Sequence, residues 1–79
     1  MVTVHRAHGL RVVIFVNDHE PAHVHVFGDG EAKINLLGAE GVAELISAAG
    51  MTRAYLLRAM RIVKEQQAVL LERWSEIHG

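Results

Sequence analysis

Apolar residues alternate with polar ones, or run together, over the first half of the chain, in the manner of β-strands. Residues 3–6 form a short first segment, and apolar side chains fill both alternating faces over residues 10–16. Apolar residues on both faces are typical of a central strand. Two further strands are predicted at 23–27 and 31–36, on either side of the glycine-containing turn 28–30.

The register of these two later strands follows from their apolar positions. A strand that is buried on one face resists any pairing that mixes its apolar and polar sides. A three-residue loop at 28–30 brings the two apolar sides together, whereas a two-residue loop would mix them. The predicted cross-strand pairs are Val24–Ile34 and Val26–Ala32 on the apolar face, and His23–Asn35 and His25–Lys33 on the other face.

After residue 51 the apolar periodicity becomes that of a helix. Thr52 is a suitable N-cap residue, and neither Gly nor Pro interrupts the pattern before Gly79. One long helix is therefore predicted over 52–79. Six apolar residues fall on one stripe at 100° per residue: Leu56, Met60, Val63, Leu70, Trp74 and Ile77.

The segment between the sheet and the helix is harder to assign. Residues 42–47 could form a short strand or a single helical turn, and flanking glycines favour an edge strand because glycine disfavours helix. The predicted fold class is α+β: a small antiparallel sheet of three to five strands, built from N-terminal hairpins and packed on one long C-terminal helix.

The length and composition of the chain limit its domain organisation and the kinds of protein it can be. The 79 residues permit one domain, predicted at 1–79, with a β-hairpin region at 1–51 and the helix at 52–79. Domains this small often need a disulfide, a metal or a second subunit, and the absence of cysteine excludes a disulfide.

The net charge of −1 provides no general electrostatic attraction for nucleic acid. No apolar run is long enough for a membrane span and the first residues lack a signal-peptide layout, so a cytoplasmic protein is expected.

Six histidines are the compositional excess, and they concentrate in the segment from Asp18 to Val26. His23 and His25 are two residues apart on a predicted strand, so both project from the same face. Two neutral imidazoles can bind one divalent metal, with Asp18, His19 or Glu20 as a third ligand. Without cysteine, such a histidine and carboxylate site would suit zinc, nickel, manganese or iron.

Two other interpretations of this segment remain open. His23 or His25 could act in acid–base catalysis with Glu20 and a cation such as Lys33 or Arg58, as in a ribonuclease. Alternatively, the segment is structural or binds a partner, since Asp and Asn stabilise turns and histidine can bridge loop backbone. The candidate binding residues around it are Asp18, His19, Lys33, Asn35, Arg58 and Arg61.

The start of the predicted helix is basic, which is the reverse of what the helix dipole favours. Arg53, Arg58, Arg61 and Lys64 occur there without an acid, whereas acids exceed bases over residues 1–51. Packing of Arg58 and Arg61 beside the acidic loop would explain this arrangement. An anionic partner such as RNA, or a solvated basic face, would explain it equally.

A second apolar edge of the helix is formed by Tyr55, Ile62 and Val69, spaced seven residues apart. One sheet face does not easily cover this edge and the main stripe together. We therefore expect the edge to meet a second copy of the helix, giving a homodimer, or a small partner protein. Gln67 lies within the main stripe and is expected to select the register of such a helix pair.

Several strings resemble the bacterial family known as domain of unknown function 4160. They are Asn17-Asp-His-Glu-Pro-Ala-His-Val-His-Val26 with the following Gly28-Asp-Gly-Glu-Ala-Lys33, then Gly50-Met-Thr52, Met60-Arg-Ile-Val63 and Leu70-Leu-Glu-Arg-Trp-Ser-Glu-Ile-His-Gly79. The resemblance covers nearly the whole chain. Two positions differ: Ala22, where the family commonly has a second proline, and Ile77, where it has an aromatic residue.

The resemblance implies a small bacterial protein encoded beside another small protein in what looks like a toxin–antitoxin pair, and it implies no catalytic residues. The first hypothesis is therefore a regulatory interaction protein that self-associates or binds a cognate partner. The second is a small ribonuclease-type enzyme that uses His23, His25 and Glu20. The third is a metal-binding domain at His23 and His25, with a divalent ion such as zinc.

Overall fold

The structure, a computed structural model, describes residues 2–79. Met1, the first residue of the predicted domain, lies outside the described residues. Five antiparallel strands form one sheet in the order in which they follow one another in sequence. This confirms the α+β class and the antiparallel sheet. The strands are β1 (Val2–Ala7), β2 (Leu10–Ile14), β3 (His23–Phe27), β4 (Glu31–Asn35) and β5 (Glu44–Ala49), and the helices are α1 (Arg53–Glu65) and α2 (Gln67–His78).

The hairpin of β3 and β4 has the predicted register. All four predicted pairs occur, and Phe27 and Glu31 close the three-residue turn. Gly30 has φ +143°, and a Cβ atom there would lie 2.5 Å from the carbonyl carbon of Gly50. Only glycine therefore allows this turn to approach the backbone that follows β5.

β5 is an edge strand, as predicted, although it occupies Glu44–Ala49 rather than 42–47. A short 3₁₀ turn at Ala39–Gly41 precedes it, and the buried side chains of Leu36 and Ala43 lie on either side of that turn. All six residues of β5 are exposed. The outer edge of the sheet is therefore open along this strand.

The helical region differs from the prediction, because two helices replace the single helix over 52–79. The N-cap is confirmed: the Thr52 hydroxyl accepts a hydrogen bond from the backbone N–H of Tyr55 at 3.2 Å. The chain then leaves helical geometry at Gln66, where φ is −102° and ψ is 12°. The side-chain amide of Gln67 donates to the carbonyls of Leu36 and Gly41 at 2.7 and 2.9 Å, which holds the start of α2 on the β4–β5 connection.

The length of the chain explains why this bend is needed. A straight helix over residues 53–78 would be about 39 Å long at 1.5 Å per residue. The longest dimension of the molecule is 33 Å. A bend at Gln66 therefore keeps both helices on the sheet and lets α2 bury Leu70 and Trp74. Local sequence gave no sign of it because neither Gly nor Pro is present.

One face of the sheet and the two helices enclose a continuous hydrophobic core, and the predicted helix stripe lies in it or packs against it. The buried members are Leu10, Val12, Ile14, Val24, Val26, Ala32, Ile34, Leu36, Ala43, Ala59, Ile62, Val63, Leu70 and Trp74. The opposite face carries the alternate residues of β3, which are His23, His25 and Phe27. The histidines therefore project from the other face of β3, although the core residue Trp74 at the end of α2 also reaches the ring of His23.

The predicted second apolar edge of the helix is not an exposed stripe. Ile62 is 5% exposed within the core, Tyr55 packs against it, and Val69 is 52% exposed. The side chain of Gln67 forms hydrogen bonds within its own chain. A five-stranded sheet is about 19 Å wide at about 4.8 Å between strands, wider than a helix, so it covers more than one stripe.

None of the helices formed by residues 2–79 has the length and apolar character needed to cross a membrane.

Candidate metal centre

The connection between β2 and β3 folds back over the histidine-bearing face of the sheet. The Asp18 N–H donates to the Phe15 carbonyl at 3.1 Å, which makes a tight turn directly after β2. At the other end of the loop, the Leu36 N–H donates to the Ala22 carbonyl at 2.9 Å. Both ends of the loop are thus fixed by backbone hydrogen bonds, and Asp18 is held above the sheet.

Asp18 meets both histidines of β3. Its Oδ2 atom lies 3.1 Å from Nε2 of His23 and 3.4 Å from Nε2 of His25. The side chain of His23 is 7% exposed, that of His25 16% and that of Asp18 23%. One carboxylate oxygen and two imidazole nitrogens therefore converge at a largely buried point.

The hydrogen bond on the other side of the His23 ring defines its tautomer. His23 Nδ1 lies 2.9 Å from the carbonyl oxygen of Pro21. A carbonyl only accepts, so the proton of a neutral ring is on Nδ1 and the Nε2 lone pair faces Asp18. A lone pair that faces a carboxylate oxygen at 3.1 Å is repelled by it unless a cation lies between them.

His25 is oriented in the same sense. Its Nε2 faces Asp18, and its Nδ1 lies 3.5 Å from Oε2 of Glu31, whose side chain is about half exposed. Glu31 thus lies on the Nδ1 side of His25, where the outer partners of metal-binding histidines commonly lie. Each histidine therefore has an oxygen atom on its Nδ1 side and Asp18 on its Nε2 side.

Several of these atoms are buried without a hydrogen-bond partner. Among the described residues they are Oδ2 of Asp18, both ring nitrogens of His25, and Oδ1 of Asn35. The contacts of Asp18 with the two rings are short but are not aligned as hydrogen bonds. Most buried polar atoms in proteins have a partner, so these atoms are free to bind a water molecule or a cation.

The two distances from Asp18 to the histidines are close to the ligand spacing around a divalent transition metal. Zinc binds histidine nitrogen and carboxylate oxygen at about 2.0–2.2 Å, which places neighbouring tetrahedral ligands about 3.3–3.4 Å apart. The two distances from Asp18 Oδ2, 3.1 and 3.4 Å, are close to that value. One ligand atom each from Asp18, His23 and His25 lies within 4.8 Å of the others.

Aromatic rings surround the centre. Phe15 contacts His25 edge-on at a centroid distance of 4.7 Å, and Trp74 lies 5.2 Å from the ring of His23. Trp74 also stacks on His78 at 3.8 Å, and Nε2 of His78 lies 3.2 Å from the Phe15 carbonyl oxygen. The end of α2 thus closes one side of the centre and restricts access of water from that direction.

A cleft of about 350 Å³ opens beside the centre. Its wall includes two of the three ligand-bearing residues and residues from β4 and β5. The lining residues are Asn17, Asp18, His19, Glu20, Pro21, His23, Lys33 and Ile46.

The structure brings together only part of the predicted site. Glu20 does not face the histidines: its Oε1 accepts a hydrogen bond from the Trp74 indole at 3.0 Å. Arg58 lies at the other end of the sheet, where it donates to the His8 carbonyl, and Arg61 is exposed on α1. Arg58 is therefore not part of the predicted grouping, whereas Glu20, His23 and the alternative cation Lys33 line the same cleft.

The remaining candidates lie near the centre without contacting a ligand atom through a hydrogen bond or ion pair. His19 is exposed in the loop, and Lys33 lines the cleft. Asn35 pairs with His23 across the strands. Arg58 does not lie beside the acidic loop as expected, since it contacts the His8 carbonyl and α2, rather than the start of α1, packs beside that loop.

Three residues at the centre were not anticipated. Glu31 is diagonal to His25, since His25 pairs with Lys33 two residues further along β4, and the register alone could have identified it. Trp74 was assigned to the core, which is correct, but its indole also holds Glu20. His78 gave no signal, because its position depends on how α2 packs.

The chain was also compared with known proteins. No curated protein and no solved structure matches it. A family model matches residues 9–75, a range that contains the whole histidine segment, the cleft and Trp74. Since this match covers well over half of the 79 residues, the chain belongs to the family described as domain of unknown function DUF4160.

Proposed function

We propose that this protein binds a divalent transition metal, such as zinc, through Nε2 of His23, Nε2 of His25 and Oδ2 of Asp18. The observation that carries the proposal is the meeting of a carboxylate oxygen with the Nε2 atoms of two imidazoles in a buried position, without aligned hydrogen bonds. Bound metal would supply the positive charge that this arrangement requires.

The surroundings of the ligands support the same proposal. The Pro21 carbonyl and the Glu31 carboxylate act on the Nδ1 atoms, as the outer partners of metal-binding histidines commonly do. Three protein ligands leave at least one coordination position open, as in catalytic rather than structural zinc sites. That open position would be reached from the cleft lined by Asp18 and His23.

Calorimetry on protein without a histidine tag tests the proposal. After metal is stripped with a chelator, zinc is expected to bind with a stoichiometry of one per chain. Asp18→Asn keeps the shape of the side chain but removes the charged ligand, so zinc affinity is expected to fall at least about tenfold. Asp29→Asn is the matched control, because Asp29 is the other aspartate and lies exposed in the β3–β4 turn.

Trp74 provides a second measurement on the same protein. It is the only tryptophan, and its ring lies 5.2 Å from that of His23. Cobalt bound at the centre should quench its fluorescence in the wild type and in Asp29→Asn, but not in Asp18→Asn. Equal zinc binding by all three proteins would contradict the proposal, as it would place the metal on other histidines.

We also propose a role as a regulatory interaction protein in the bacterial cytoplasm, as one component of a toxin–antitoxin-like pair. Its structural support is β5, whose six residues are exposed at the edge of the sheet. Leu45 and Ile46 are 40% and 47% exposed there. Edge strands that carry neither Lys nor Pro readily pair with another strand.

A second copy of this chain is the occupant that β5 fits best. Antiparallel pairing of two β5 strands would place Glu44 opposite Ala49 and Ile46 opposite Ser47, so that no like charges meet and large residues face small ones. Light scattering should show a dimer that Ile46→Lys converts to a monomer. Leu57→Lys, at a similarly exposed position of α1, should leave it unchanged. A monomeric wild type would contradict the homodimer and leave a different protein as the partner of β5.

A further inference from the structure

The cleft beside the candidate metal centre contains one lysine. Lys33 lies on β4 opposite His25, on the histidine-bearing face of the sheet, and lines the cleft together with Asp18 and His23. Within residues 2–79, no carboxylate forms an ion pair with it. Its ammonium group is therefore available to a ligand that enters the cleft.

The sign of the charge in the cleft depends on the metal. Asp18 and Glu20 contribute two carboxylates and Lys33 one ammonium, so the lining is net negative without metal. A divalent ion on Asp18 and His23 reverses that sign. Beside Lys33 it creates a positively charged pocket that favours an anion only when metal is present.

We propose that the metal-loaded cleft binds the phosphate group of a small phosphate monoester, with one oxygen on the metal and another at Lys33. This inference rests on the proposed metal centre. A phosphate monoester carries nearly two negative charges and three terminal oxygens, so it can reach two cations at once. A volume of about 350 Å³ admits the phosphate together with a small organic group.

A small ester fits the cleft better than an RNA strand does. Binding to a nucleic-acid backbone uses several cations along an extended surface. Here Arg58 lies at the opposite end of the sheet and the net charge is −1. The cleft therefore offers a single cationic position beside the metal rather than a track for a polymer.

Calorimetry with zinc-loaded protein, freed of excess metal, tests the inference with two probes, inorganic phosphate and phenyl phosphate. Both should bind the zinc-loaded wild type and neither should bind the stripped protein. Tighter binding of phenyl phosphate would identify an organic ester as the ligand, and binding of inorganic phosphate alone would overturn the ester in favour of the free ion. Lys33→Met should keep its zinc but lose about tenfold or more in phosphate affinity, because a charge-assisted hydrogen bond is removed.

Lys64→Met is the matched control, because Lys64 is the only other lysine and lies exposed on α1. It should bind phosphate like the wild type. Three results would overturn the phosphate inference and leave the metal site intact. They are zinc binding without phosphate binding, equal phosphate affinity in Lys33→Met and the wild type, and tighter binding of acetate or an RNA oligonucleotide than of phenyl phosphate. Failure to bind zinc at all would overturn both.

Discussion

At the scale of single residues, the centre depends on which nitrogen of each histidine ring carries a proton. The Pro21 carbonyl fixes this for His23, and Glu31 lies beside the corresponding Nδ1 atom of His25. Both rings consequently direct Nε2 towards Asp18. The ligands are thus oriented by groups that do not themselves bind the metal.

Glu31→Gln tests this indirect role. Glutamine has the same shape but no charge, so it orients His25 less strongly, and zinc affinity is expected to fall about tenfold without being lost. Glu44→Gln, on the exposed strand β5, should have no effect. Complete loss of zinc binding in Glu31→Gln would show instead that Glu31 is a ligand.

At the scale of elements, two features hold the sheet and the helices in place around the centre. The β3–β4 turn approaches the backbone after β5, and α2 is anchored by Gln67 on the connection between β4 and β5. Because β3 and β4 carry the histidines and Glu31, the register of this hairpin determines the spacing of the site.

Gly30→Ala should therefore be strongly destabilising. The new Cβ atom would lie 2.5 Å from the carbonyl carbon of Gly50, at a φ of +143° that alanine rarely adopts. The free energy of unfolding should fall by about 2 kcal/mol or more. Gly41→Ala has a positive φ but no atom within 4 Å, and should cost only about 1 kcal/mol in urea denaturation. Equal losses would show that the close approach at Gly30 is unimportant.

At the scale of the whole molecule, the small core would make a bound metal important for stability. A chain of 79 residues buries limited apolar surface, and this one has no disulfide. A ligand that binds only the folded state adds stability in proportion to the logarithm of its concentration. The metal centre would therefore connect the loop, the sheet and the C-terminal helix energetically.

Free zinc at 100 times its dissociation constant should add about 2.7 kcal/mol to the free energy of unfolding. For a domain of this size the melting temperature would rise by roughly 10–20 °C. Differential scanning fluorimetry with zinc, and then with excess chelator, measures the change. Asp18→Asn should show little response to either. An equal zinc-dependent rise in Asp18→Asn would assign the stabilisation to another site.

Much of the candidate site follows from the sequence because it depends on short-range pairing. Alternation placed His23 and His25 on one face, and the apolar register placed Lys33 and Asn35 opposite them. Asp18 was one of three possible third ligands. The choice among Asp18, His19 and Glu20 required the structure, because it depends on how the loop turns at Phe15 and on Trp74 holding Glu20.

The sequence alone therefore determined the α+β class, the hairpin of β3 and β4 and the helix start at Thr52, since each results from local periodicity or capping. It favoured an edge strand after the hairpin but left a helical turn open. The tertiary structure decided the bend at Gln66, the burial of Ile62 and the position of Arg58 away from the loop. These depend on the width of the sheet and the length of the helices relative to the core. No local sequence pattern predicts how the helices pack on the sheet. This packing places Trp74 and His78 beside the histidines of β3.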